Sequence, residues 1–175
     1  MTTSRGPATG NNSCDHALRL RSLWLSWLLA MLFHVDLGLM PLFHGLSPEI
    51  HSHVDSGRLP MLYNAMLVYF LVPLIAILLI AYAASDPDHV QAWRPWRRLH
   101  FWLSIVYTVT NILHLIADIV VPDARADQIL LMGALVVIGL LINAEAWRWW
   151  KEGQALHTIA RPAASNTPSN STELR

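Results

Sequence analysis

Leu99–Val121, LHFWLSIVYTVTNILHLIADIVV, carries polar side chains at His100, Ser104, Tyr107, Asn111, His114 and Asp118, in steps of 4, 3, 4, 3 and 4. On an α-helix this spacing lines all six up in one narrow seam. Between them the stretch is apolar, with Leu103, Ile105, Val106, Ile112, Leu113, Leu115 and Ile116. A helix this long and this apolar can cross a bilayer, but its polar seam cannot face lipid. The seam must therefore face other helices.

Three further apolar segments can supply them. The reading is an all-α integral membrane four-helix bundle, with spans at about 23–43, 60–84, 99–121 and 128–147 inside a domain covering 18–150. Residues 1–17 and 151–175, polar and rich in Ser, Thr, Gly, Asn and Pro, read as disordered tails. The first apolar segment is too long for a signal-peptide core and ends in no small-residue cleavage site. Pro41, three residues after Gly38, should kink or end it. Pro73 interrupts the second segment at mid-span, which a bundle tolerates.

Composition agrees. The chain is 54% hydrophobic and 14% charged, with a formal net charge of zero and nine histidines. No basic run is long enough for nucleic acid, so the expected partners are the lipid bilayer and a larger membrane complex or a second copy of the chain. Cys14 is the single cysteine, which excludes an intrachain disulfide and any CxxC motif. No phosphate-binding Gly-rich loop, GxSxG, HExxH, lipidation signal or internal repeat is present.

Ten of the twelve Lys and Arg residues lie in the two tails and the second loop, with only Arg58 and Arg125 on the other side. By the positive-inside rule this makes a multi-pass protein with both termini cytoplasmic, in a membrane the sequence does not identify. All eight tryptophans fall at the cytoplasmic face, where they read as interface anchors.

The opposite, outer half collects chemistry instead. Counting from Leu23, His34 and Asp36 lie roughly 17 and 20 Å deep; counting from Leu99, Asn111 and His114 lie roughly 18 and 23 Å deep. His34 and Asp36 point to nearly opposite faces, so only one can meet the seam. His34 or Asp36, His44, Tyr63, Asn64, Asn111, His114 and Asp118 gather at this level, and the first loop adds Glu49, His51 and His53.

Four readings of these groups stand. His100 and His114, fourteen residues apart on one helix face, resemble the ligand spacing of dihaem membrane cytochromes b. That resemblance implies haem, and with only His34 at a matching level it implies one b-type haem held by His34 and His114. A transition metal (Zn, Cu or Fe) is the second, with His44, Glu49, His51, His53, His114 and Asp118 as ligands; His114 and Asp118 lie one helical turn apart. A proton relay or quinone pocket along the seam is the third. The fourth is interhelical hydrogen bonding in a non-catalytic accessory subunit, with Asn143 and Glu145 as packing groups and Gly133 and Gly139 allowing close helix approach. His114 and Asp118 are the expected functional pair, and His100 is expected to be solvated at the headgroups.

Overall fold

The computed structural model describes residues 9–45, 56–85, 92–120 and 125–165, and among them every regular element is helical. The elements are α1 (Thr9–Phe43), a 3₁₀ turn (Ser56–Arg58), α2 (Leu59–Ser85), α3 (Arg94–Val120) and α4 (Ala126–Ser165). All four α-helices are long and apolar enough to cross a membrane. Gly45, just past α1, takes a positive φ of 69°, a conformation open to glycine at little steric cost.

Each helix buries one seam at alternating three- and four-residue steps. In α1 it is Ala17, Leu20, Trp24, Trp27, Met31 and His34; in α4 it is Met132, Leu135, Gly139, Ile142, Ala146, Trp149 and Gly153. Pro73, Ala76, Ile80 and Ala83 do the same for α2, and α2 runs unbroken through Pro73 with the ring turned inward. In α3 the seam is Arg97, His100, Ser104, Tyr107 and Asn111, mostly polar as the sequence requires. The outward faces are apolar, for example Leu25, Phe33, Leu71, Leu78, Val106 and Val137. That inversion of a soluble protein's surface is what hydrocarbon around the bundle demands.

α1 packs against α2 and α4, and α3 packs against α4. α2 and α3 approach less closely and meet through the stacked rings of Tyr69 and Tyr107, 4.9 Å between centroids. Contacts fix the directions. His16 meets Glu145, Trp24 meets His100 and His34 meets His114, so α1 and α3 run the same way and α4 runs against them. One end of the bundle thus holds the start of α1 and the far part of α4, and is called here the terminal end. The other, where α1 and α3 finish, is the turn end.

Two boundaries differ from expectation. α1 begins at Thr9, so part of the tail expected at 1–17 is helical, and α4 continues past Trp147 to Ser165. The cause is that the buried seams continue there: Ala17, Leu20, Trp149 and Gly153 are all covered. Polar residues on the outer face of these turns mask the pattern. Glu145 clamps the extension, with its Oε1 2.6 Å from His16 Nδ1 and 3.7 Å from Arg19, and its Oε2 3.2 Å from Arg148.

The tryptophans are a second difference. Trp24, Trp27 and Trp149 are fully buried core residues rather than interface anchors. Trp102 and Trp147 are exposed, and Trp147 meets Phe101 at a tilt and Trp150 edge to face, with the Lys151 ammonium over its ring. Of the two α4 glycines, Gly139 is a close-approach position, since an added Cβ would stand 2.7 Å from Thr108 Oγ1. Gly133 is not, having open space around it.

Candidate metal centre

At the turn end the last turns of α1 and α3 bring His34, His114 and Asp118 together. His114 and Asp118 share a face of α3 because they are four residues apart. His34 joins them from across the bundle because it is the last buried position of α1's seam. His34 Nε2 lies 3.4 Å from His114 Nε2 and 3.8 Å from Asp118 Oδ2; His114 Nε2 lies 3.5 Å from Asp118 Oδ1. These gaps exceed the 2.7–3.2 Å of good hydrogen bonds. The nitrogen–nitrogen gap matches the edge of a coordination tetrahedron, about 3.3–3.4 Å for metal–ligand bonds of about 2.0–2.1 Å. Asp118 turns a different oxygen toward each histidine, and one ligand atom from each of the three residues can be chosen so that all lie within 4.8 Å of one another.

Exposure grades across the group. The side chains of His34 and Asp118 are 10% and 19% exposed, while that of His114 is 50% exposed. Nδ1 of His34 is buried with no hydrogen-bond partner, and so is Asp118 Oδ2. His34 and His114 also line a cavity of about 420 Å³ between α1, α2 and α3. Met31, Val35, Ala65, Met66 and Phe70 give it apolar walls, and Tyr69 and Thr110 add two hydroxyls. The Tyr69 hydroxyl is 3.2 Å from Thr110 Oγ1 and donates to Asn111 Oδ1 at 3.3 Å. Tyr69 was not singled out from the sequence. It sits alone in an apolar run, and no spacing rule on α2 marks it.

The other expected site residues divide clearly. Asp36 faces outward and is exposed, leaving His34 as the member of that pair that meets α3. His44 is exposed in the turn after α1 and is outside the group. Tyr63 and Asn64 are exposed on α2 and are not part of the lining of this cavity. Glu49, His51 and His53 lie outside the described residues.

His100 departs from expectation most. Instead of being solvated it is wholly buried, with the Trp24 indole N–H donating to its Nε2 at 2.8 Å. Trp96 and Trp149 crowd its ring at 5.7 and 6.0 Å. That nitrogen is therefore occupied, and no second histidine faces it among the described residues. Between His100 and the His/Asp group lies a layer of rings, Trp24, Trp27, Tyr107 and Tyr69, in contacts of 4.9–5.8 Å. The Tyr107 hydroxyl donates to the Tyr69 carbonyl and Ser104 to the Phe101 carbonyl, so these groups bond to backbone.

No protein-family model matches the chain, and no curated protein or solved structure matches it either.

Proposed function

We propose that this is a polytopic membrane protein built to hold one divalent transition metal on His34, His114 and Asp118. The observation that carries the reading is the convergence of two imidazoles and a carboxylate, with one ligand atom from each within 4.8 Å of the others and nitrogens 3.4 Å apart, longer than a good hydrogen bond and near the edge of a tetrahedron. Two nitrogens and one carboxylate oxygen suit zinc first and iron or copper next. Three protein ligands leave a fourth position open, the pattern of a working rather than a purely structural site, and the exposed edge of His114 gives that position access. A carboxylate within 3.8 Å of both imidazoles favours a metal over a haem, whose two axial histidines stand on opposite sides of the iron.

The test is elemental analysis of the detergent-solubilised protein together with its absorption spectrum. About one zinc, iron or copper per chain is expected, with no Soret band. A Soret band would replace the metal reading by haem. Neither metal nor Soret band, with a larger complex co-purifying, would leave an accessory subunit.

The orientation belongs to the same proposal, with both termini cytoplasmic and the metal in the outer half of the bundle, because Lys and Arg concentrate at the terminal end. A cysteine at Ser56, in a chain lacking Cys14, should react with an impermeant thiol reagent added to intact cells. Reaction only after lysis would reverse the topology.

A further inference from the structure

The cavity beside the metal group opens through the side of the bundle, at the gap between α2 and α3, the loosest of the neighbouring helix pairs. Its rim is formed by outward-facing residues of both helices: Ala65 and Met66 on α2, and the half-exposed His114 on α3 next to the exposed Leu113. These belong to the apolar surface that a bilayer covers, so what reaches the cavity comes from hydrocarbon. Inside, the polar groups are few and converge: the His114 edge, the Tyr69 hydroxyl and Thr110 Oγ1. Apolar walls with a few placed polar atoms are what holds an amphiphile by its head.

We infer that the ligand taken at the open metal position is a lipid-soluble molecule with an oxygen-bearing head group, a hydroxyl or carbonyl at the end of a long apolar tail. The head oxygen completes the metal's coordination and meets the Tyr69 hydroxyl; the tail leaves between α2 and α3 into the membrane. This rests on the metal reading for its fourth ligand and on the cavity alone for its route.

The experiment uses the full chain in lipid nanodiscs with a diazirine-bearing long-chain fatty alcohol as probe. Photolabelled positions are mapped by mass spectrometry, and metal content is measured on the same sample. Labelling of 65–70 and 110–114 is expected several-fold above that of Leu130 and Val137, which are exposed on α4. Unlabelled alcohol should compete, and an alkane of equal length should not. Ala65→Trp, at an exposed position where folding has no stake, should remove the enrichment and leave the metal in place. Tyr69→Phe should weaken competition by the alcohol. Equal labelling of α4, or competition by the alkane, overturns the inference. Enrichment without bound metal sinks the metal reading and the coordination of the head oxygen with it, keeping only the route from the bilayer, and bound metal without enrichment sinks this inference alone.

Discussion

His100 and His114 stand on the same face of the same helix, fourteen residues apart, yet they serve opposite ends. Around His100 the space is filled: Trp24 bonds its Nε2, Trp96 and Trp149 cover its ring, and no part of it is exposed. Around His114 the space is open, its partners stand at 3.4 and 3.5 Å, and half of its side chain is uncovered. The difference comes from the neighbouring helices. At the terminal end α1 and α4 supply tryptophans, which fill volume, and one of them, Trp24, donates its N–H to the ring. At the turn end α1 supplies a histidine and α2 stands off. A buried imidazole held by a tryptophan N–H is packed in place, whereas one whose Nε2 converges on another imidazole and a carboxylate is placed where a metal could be held.

The largest expected effect lies at the open centre. His114→Ala, His34→Ala and Asp118→Asn should each take metal content from about one per chain to near zero. Compared with the wild-type chain stripped of metal, His114→Ala and Asp118→Asn should leave thermal unfolding almost unchanged, because both side chains are partly exposed and make no short bonds. Metal retained in all three variants would erase the contrast between the two histidines.

His100→Ala should do the reverse. It strands the Trp24 N–H and opens a cavity among three tryptophans, at a cost of about 2–4 kcal/mol. Metal content per folded chain should hold steady. Denaturant titration in mixed micelles reads the first quantity and elemental analysis the second. Loss of metal in this variant would mean that the two centres are coupled through the aromatic layer.

A smaller effect separates the two glycines of α4. Gly139→Ala pushes a methyl into Thr108 Oγ1, which is pinned because it donates to the Ser104 carbonyl and accepts from Asn143 Nδ2, each at 3.0 Å. The expected loss is about 1–3 kcal/mol. Gly133→Ala meets nothing and should be neutral or stabilising by up to about 1 kcal/mol. Equal responses would mean that α3 and α4 are no closer at Gly139 than at Gly133.

The architecture was largely legible because hydrocarbon imposes a simple rule: long apolar helices, with polar groups turned inward. The polar seam of α3 obeyed it through Asn111. The His114/Asp118 pair was legible too, because four-residue spacing on one helix fixes two side chains on one face. Its third member was half legible, since periodicity sets His34 and Asp36 on opposite faces without saying which one meets α3. The helix extensions and the fate of His100 were not legible. Both depend on which residues of α1 and α4 arrive across the bundle, and local pattern carries no such information. Tryptophans near a membrane boundary read alike whether they anchor at headgroups or fill a core.

Glu145 lies on α4, whereas His16 and Arg19, two of the groups around it, lie on α1, made earlier. Its bond to His16 spans 129 residues of sequence. Until α4 emerges, the start of α1 has no carboxylate to hold it, and α4 carries an acid that favours water over lipid. Closure of α1 on α4 through this clamp can thus come only after α4 has been made. A ribosome-stalled intermediate ending before α4 should leave residues 14–20 open to protease, and the chain with α4 in place should shield them.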